Sequence, residues 1–153
     1  MVMIKTLDTA ECQRILRNNY IGYLAYIYNH RPYVVPITYY YDELENAVIG
    51  YSGNGHKTKA LRNNTAVSLE VAEIESVSNW ESVLAHGTYR EFDGSAAKIN
   101  LHKFSEGVKK IIQTRENKKM DHISEFSSKI FKEGLPVVFQ IAVEELTGKE
   151  RHY

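Results

Sequence analysis

The stretch GYSGNGHKTKALRNN, residues 50–64, decides how the rest of the chain is interpreted. Two glycines, Gly53 and Gly55, favour a turn whose backbone N–H groups are accessible to a ligand. A helix that begins behind His56 and Lys57 adds the positive end of its dipole and a fixed cation. The loop is a candidate phosphate-binding site, and a plain turn is the alternative, because Gly-Asn-Gly is common in turns and lysine is common on surfaces.

The composition is that of one globular domain without net charge. The 153 residues are 43% hydrophobic, and 19 basic residues balance 19 acidic ones. A neutral chain does not attract nucleic acid or an anionic membrane, so we expect neither as a partner. No apolar run approaches the roughly 20 residues of a membrane span, and the first residues lack the apolar block of a signal peptide, so we expect a cytoplasmic protein.

The first half of the chain predicts a short helix followed by an antiparallel β-meander. Asp8 is the expected cap of a helix at 9–19, with Glu11 completing a capping box. Strands are expected at 20–28, 32–41, 47–52 and 65–73, with turns between them. Pro36 interrupts the second strand and predicts an edge or a bulge, where free backbone groups can face a ligand.

The second half predicts two more strands and two helical pieces. The strands are expected at 80–92 and 136–146, and the helices at 95–115 and 121–132. The basic excess of residues 94–132 is interpreted as a solvated helix face. No repeat or linker divides residues 1–153, so we expect a single domain built as a small antiparallel barrel with packed helices. An α+β sandwich fits the pattern almost as well.

Side chains for catalysis or metal binding are not evident. The chain lacks a Gly-x-Ser-x-Gly motif, and Cys12 has no histidine near it in sequence, so nucleophilic catalysis is not expected. The six histidines show no HxxxH or HxH spacing, so no structural zinc is expected. Most tyrosines are expected in a β-rich core. Tyr39, Tyr51 and Trp80 are the candidates for aromatic contact with a ligand.

The order of these segments resembles the pyridoxamine 5'-phosphate oxidase-like family of FMN-binding split barrels. The resemblance rests on PYVVPITY, a strand ending in Tyr-Ser, the polar loop with its basic pair, and WESVLAHGTYREF. The ending EELTGKERHY resembles the nitroimidazole-resistance branch of that family. The resemblance implies a mainly β (α+β) fold, a six-stranded antiparallel split β-barrel with flanking helices. It also implies a homodimer that holds FMN at the subunit interface, with FAD as the alternative cofactor.

The resemblance also implies positions for the cofactor. The phosphate would contact His56 and Lys57, and the flavin ring would lie along the backbone of the second strand. Ser82 takes the place of a glutamine of the oxidase, and Trp80 would come from the other subunit. The implied cofactor-binding residues are Val35, Pro36, Ile37, Thr38, Tyr39, Tyr51, Ser52, His56, Lys57, Trp80 and Ser82.

The tail GKERHY lacks the Arg-x-His-x-Arg motif with which the oxidase proper holds its substrate, so pyridoxamine phosphate oxidation is not implied. The first hypothesis is a flavin-dependent oxidoreductase in which a nicotinamide reduces a small planar substrate, nitroaromatic compounds among them. The second is a non-catalytic dimer that stores or senses flavin or haem, with His86 or His152 as the haem ligand. A plain structural dimer is the third reading. No side chain is assigned a catalytic role.

Overall fold

The structure, a computed structural model, describes residues 3–116 and 136–153. The helical piece expected at 121–132 lies outside these residues. In chain order the described elements are β1 (Ile4–Thr6), α1 (Thr9–Asn18), β2 (Ile21–Tyr28), β3 (Arg31–Thr38), β4 (Tyr40–Asp42), β5 (Ala47–Ser52), α2 (His56–Asn63), β6 (Ala66–Ser76), β7 (Asn79–Glu91), α3 (Gly94–Glu116) and β8 (Val137–Arg151).

The strands form one antiparallel sheet that curls without closing. The order along the sheet is β3-β2-β6-β7-β8-β5-β4, and β1 pairs with β8. The split barrel of mainly β, α+β class with flanking helices is therefore confirmed. The described residues contain eight strands where six were predicted. The two additional strands, β1 and β4, are only three residues long and too short to produce an alternating pattern.

The strand predicted at 32–41 is divided at Tyr39. Here the chain stops pairing with β2 and begins to pair, as β4, with β5. The Tyr39 side chain is fully buried, and its hydroxyl donates to the Leu16 carbonyl at 2.8 Å. The Tyr39 ring is therefore part of the core and is not exposed to a ligand, which corrects the expectation that it contacts one. Pro36 pairs with Tyr23 without a register shift on the edge strand β3, so the predicted edge is confirmed and the bulge is not.

A two-residue turn, Asn29-His30, joins β2 to β3. Both residues have positive φ, 50° and 61°, as in the turns that best match the twist of a hairpin. The turn fixes the register so that Tyr26 lies opposite Tyr33. The two rings stack with centroids 5.4 Å apart, and they form the base of the site described below.

Two helices cover the two halves of the core. Asp8 caps α1 by accepting a hydrogen bond from the Glu11 N–H at 2.8 Å, as predicted. The buried face of α1, which includes Cys12, packs on the main core, and burial raises the pKa of the Cys12 thiol. Helix α3 packs on a second cluster, in which Phe104 and Val108 are fully buried.

The last strand, β8, continues beyond its predicted end at 146 to Arg151. Its pairing with β7 shifts register between His86 and Gly87, which marks a bulge at Glu144. A Cβ on Gly87 would lie 2.2 Å from the Ala142 carbonyl oxygen, so only glycine fits this close approach. The longer β8 places Arg151 opposite Trp80, at the start of β7.

Candidate functional site

The loop between β5 and α2, residues 53–55, is where the sequence predicts a phosphate site. Gly55 is the N-cap of α2, and its N–H donates to the Thr58 hydroxyl at 2.9 Å. That N–H is therefore engaged, and the accessible donors are the first N–H groups of α2 itself. Neither Gly53 nor Gly55 has a positive φ, and nothing lies within 4 Å of a Cβ built on either. The glycines provide open space here, not a left-handed turn.

Lys57 lies in the first turn of α2 and is half-buried. No hydrogen bond or ion pair joins its ammonium group to any residue in the described part of the chain. Burial alone lowers the pKa of Lys57 below its ordinary value. A partly desolvated ammonium without a counter-charge is favourable only when an anion joins it, and the helix N-terminus favours the same charge. These residues therefore fit a phosphate group.

His56 lies against three tyrosines of the β2–β3 hairpin. Its ring is edge-on to Tyr28 and Tyr33, with centroids 4.6 Å and 5.2 Å away. The Tyr26 hydroxyl lies 3.5 Å from His56 Nδ1. These contacts orient the imidazole while His56 remains exposed beside Lys57. Sequence analysis missed this cluster, and the Asn-His turn that sets the hairpin register was the available signal for it.

Arg62 is the second basic residue of α2 with a defined role, and all three of its guanidinium nitrogens are bonded. Nε and Nη2 donate to the two Glu91 carboxylate oxygens at 2.7 and 3.0 Å, and Nη1 donates to Asn54 Oδ1 at 3.1 Å. The hydrogen bond from Arg62 is the main reason why the Glu91 pKa lies below its usual range. Helix α2 thus carries two lysines without a partner in the described part of the chain, the half-buried Lys57 and the exposed Lys59, and one paired cation, Arg62.

Tyr51 and Ser52 end β5 immediately before the loop, and both are half-buried. The Tyr51 ring packs edge-on against Phe104 of α3, with centroids 5.2 Å apart. The Ser52 hydroxyl donates to the Gly53 carbonyl at 3.0 Å. Ser52 is therefore engaged within the loop, and the Tyr51 ring contacts α3.

The predicted ring-binding residues of β3 lie on the edge strand that also carries Tyr33. They are Val35 and Thr38, which are half-buried, Pro36, which is exposed, and Ile37, which is buried. Because β3 has one strand neighbour only, the backbone groups on its outer side have no partner strand among the described residues. The edge of β3 therefore passes His56 at Tyr33. Its free backbone groups continue along Val35 to Thr38, away from His56.

Trp80 and Ser82 lie far from the Lys57 loop. They are near the start of β7, whereas Glu91, the partner of Arg62, is at its end. The strand has 13 residues, so its contour measures about 40 Å at roughly 3.3 Å per residue. Within one chain, Trp80 and Ser82 are therefore separated from the Lys57 loop by most of the length of β7.

The start of β7 has its own charged groups, which sequence analysis did not bring together. Arg151 pairs with Trp80 across the strands, and its Nε is buried without a hydrogen-bond acceptor in the described part of the chain. Glu81, Glu150 and His152 place their ligand-type atoms within 4.8 Å of one another. His152 Nε2 lies 3.1 Å from Glu150 and 3.4 Å from Glu81, and we interpret the group as an ion-pair cluster. Its members come from two strands, so sequence spacing gave no signal.

The outer face of the β2–β3 hairpin and of the strands beside it is apolar and exposed. Val34 and Ile74 are 64% and 73% exposed, and Ile74 lies opposite Trp80 on the same face. The other large apolar residues of this face are Ile21, Tyr23 and Ile27. Several large apolar side chains exposed on one sheet face are typical of an association site.

A cavity of about 300 Å³ opens on the same side of the sheet. Ser68 and His86 line it, and the Ser68 hydroxyl lies 2.6 Å from His86 Nδ1.

Helices within residues 3–116 and 136–153 are too short or too polar to cross a membrane.

The comparisons with known proteins agree with this geometry. The family model of pyridoxamine 5'-phosphate oxidase matches residues 8–150. An uncharacterised protein of Rhizobium meliloti (strain 1021) is 33% identical over 90 residues, which are 59% of this chain and 58% of that protein. The match thus spans less than two thirds of that relative's length.

Two solved structures illustrate the fold. An FAD-binding protein from Mesorhizobium loti is 27% identical with a TM-score of 0.76, and the match covers 100% of both chains. A candidate 5-nitroimidazole antibiotic resistance protein from Bacteroides thetaiotaomicron is 16% identical with a TM-score of 0.67, covering 98% of this chain and 90% of that one. The family model matches nearly the whole length of this chain, and the chain folds as a split barrel. The chain therefore belongs to the pyridoxamine 5'-phosphate oxidase family.

Proposed function

We propose that this chain binds a flavin nucleotide with a phosphate on Lys57 and on the N-terminus of α2. FMN is the proposed cofactor, and FAD, which the Mesorhizobium loti protein is described as binding, offers the same phosphate chemistry. The observation that carries the proposal is the half-buried Lys57 ammonium without a counter-charge at the start of a helix. His56 and Ser52 would line the same phosphate.

The residues that would contact the rest of the cofactor follow from the placement of β3. Its edge begins beside His56, and the backbone groups of Val35 to Thr38 are available to the polar edge of a flavin ring. When bound, the flavin supplies two-electron redox chemistry, and the protein orients it and excludes water. We propose that the loaded protein is an oxidoreductase that takes electrons from a nicotinamide and reduces a small planar compound, nitroaromatics included.

We further propose that the active unit is a homodimer with the flavin at the subunit interface. The exposed apolar face of the β2–β3 hairpin supports this assembly, because a stable monomer rarely leaves such a surface in water. The face also carries Trp80, which is separated from the Lys57 loop of its own chain by most of the length of β7. A two-fold dimer would allow each subunit to complete the flavin site of the other.

The proposal is tested first by titrating the purified protein with FMN and with FAD. We expect a saturable change in flavin fluorescence, and bleaching of the flavin absorbance when NADH or NADPH is added without oxygen. Lys57→Ala should weaken FMN binding about a hundredfold, the effect of losing a charge-assisted contact to phosphate. Flavin that binds but is not reduced by either nicotinamide would favour a carrier or another electron donor.

Lys59→Ala is the matched control, because Lys59 is on the same helix but exposed. It should leave FMN affinity within about twofold of the native value, as expected for a surface charge. If Lys57→Ala binds FMN as tightly as Lys59→Ala does, the phosphate does not lie on Lys57.

A further inference from the structure

The loop that precedes Lys57 is tied to the barrel by one side chain, Arg62. The guanidinium reaches across to the end of β7 and binds both oxygens of Glu91, and its remaining nitrogen donates to Asn54 Oδ1 in the loop. Arginine suits this task because its planar fork serves a carboxylate and a third acceptor at once. One residue therefore joins the helix, the loop and the sheet.

Both ends of this connection are fixed. Glu91 also accepts a hydrogen bond from the Tyr89 hydroxyl at 3.1 Å, and the Tyr89 side chain is buried in the main core. Asn54 Oδ1 is 3.3 Å from the hydroxyl of Thr58, which is fully buried and which caps the Gly55 N–H. The short loop is thus held from the sheet on one side and from the helix interior on the other.

Apart from those of Arg62, the side-chain hydrogen bonds that the structure gives the loop are local ones with Ser52 and Thr58. A Cβ at Gly53 or at Gly55 would have nothing within 4 Å. Glycine also has the largest backbone freedom to lose when a loop becomes ordered. Arg62 is also poorly placed to bind the phosphate itself, because three of its five N–H donors already have acceptors and its charge is balanced by Glu91. Its effect on a ligand would therefore be indirect, through the position of the loop and of the first turn of α2.

We propose that Arg62 is a positioning residue for the phosphate site, holding Asn54 and Gly55 so that Lys57 and the first N–H groups of α2 are oriented before the ligand arrives. This inference rests on the proposed flavin function. It predicts that Arg62 matters for ligands with a phosphate and not for the flavin ring.

The experiment compares FMN with riboflavin, which has the same ring and no phosphate. Dissociation constants for both are measured on the native chain and on Arg62→Ala, Arg62→Lys, Asn54→Ala and Lys57→Ala. Arg62→Ala should weaken FMN binding roughly tenfold and change riboflavin binding less than about twofold. Arg62→Lys should not restore FMN affinity, because one ammonium does not serve Glu91 and Asn54 together. Hydrogen exchange of the flavin-free Arg62→Ala protein should show faster exchange of amides 54–57.

Arg17→Ala is the matched control, because Arg17 forms a similarly exposed ion pair with Glu43 at 2.9 Å on α1. Arg17→Ala should change the dissociation constant of neither FMN nor riboflavin. Equal losses for FMN and riboflavin in Arg62→Ala, or unchanged exchange of amides 54–57, would overturn the positioning role. If Arg62→Ala keeps the native preference for FMN while Lys57→Ala loses it, only this inference fails. If Lys57→Ala also keeps that preference, the proposed phosphate site itself fails.

Discussion

The two ends of β7 differ in what they leave unfinished. At the Glu91 end, Arg62 and Glu91 are paired, whereas the half-buried Lys57 ammonium has no partner among the described residues. At the start of the strand, Trp80 lies on an exposed apolar face beside Arg151, whose Nε has no acceptor within residues 3–116 and 136–153. Each end offers part of a binding site, and about 40 Å of strand contour separates them.

We interpret the two ends as parts of two different sites and not as one complete site. A two-fold axis through the apolar face would bring the start of one β7 towards the phosphate loop of the other chain. Such an axis would account for the family resemblance, which implies Trp80 and Ser82 as cofactor contacts although the fold keeps them away from Lys57 of the same chain. The predictions below test whether these two ends meet in the dimer.

The largest effect is expected from a charge on the apolar face. Val34→Asp would bury a carboxylate without a partner in the proposed interface, which costs several kcal/mol. We expect the dimer dissociation constant to rise at least about a hundredfold, and FMN binding to weaken with it. Sedimentation equilibrium over a range of protein concentrations measures the first, and fluorescence titration the second.

Leu44→Asp is the control for this change. Leu44 is 98% exposed in the turn between β4 and β5, away from the hairpin face, so an added charge there should not alter assembly. If Val34→Asp and Leu44→Asp sediment alike, the apolar face is not the dimer interface.

A second effect concerns the sharing of sites. Lys57→Ala and Trp80→Ala are each expected to weaken flavin binding as homodimers. When the two variants are mixed and allowed to exchange subunits, a mixed dimer has one site with both substitutions and one site with neither. About a quarter of all sites should then recover native affinity, which a flavin titration of the mixture measures. Subunit exchange is demonstrated separately. If exchange occurs and no site recovers native affinity, Lys57 and Trp80 do not share a site.

Local patterns were sufficient to predict much of the fold. The Asp8 cap, the turn before Arg31 and the apolar spacing of α3 are each encoded within a few residues, and each lies where predicted. The division of the second strand at Tyr39 was not predictable in this way. It depends on the Tyr39 hydroxyl finding the Leu16 carbonyl inside the core, a contact between distant parts of the chain.

The candidate site divides along the same line. Lys57 was predicted because a glycine turn, a cation and a helix start are adjacent in sequence. Arg62 was missed because its importance depends on Glu91, which belongs to another strand and gives no local signal. The separation of Trp80 from the loop follows from the sheet order, which no spacing in the sequence specifies.

The smallest effect is expected on the stability of the flavin-free protein. Because burial lowers the folded-state pKa of Lys57 below the ordinary value of 10.5, the charged form costs stability at pH values below that lowered pKa. The cost is relieved as pH rises from the lowered pKa towards 10.5. We expect Lys57→Met to raise the free energy of unfolding at neutral pH by less than about 1 kcal/mol, since Lys57 is only half-buried. The gain in stability of the native chain at alkaline pH should be absent in this variant.

Bound FMN should make the native chain more stable than Lys57→Met at neutral pH. A phosphate keeps the Lys57 ammonium charged, so the native chain should gain stability from FMN at neutral pH and lose that gain as pH rises through the pKa of Lys57. Lys57→Met should gain little at any pH. Thermal unfolding with and without FMN, repeated across this pH range, measures both effects. If Lys57→Met is less stable than the native chain without flavin, the ammonium already has a favourable environment within the fold. The Lys57 ammonium would then need no anion, and its contrast with the paired Arg62 would be lost.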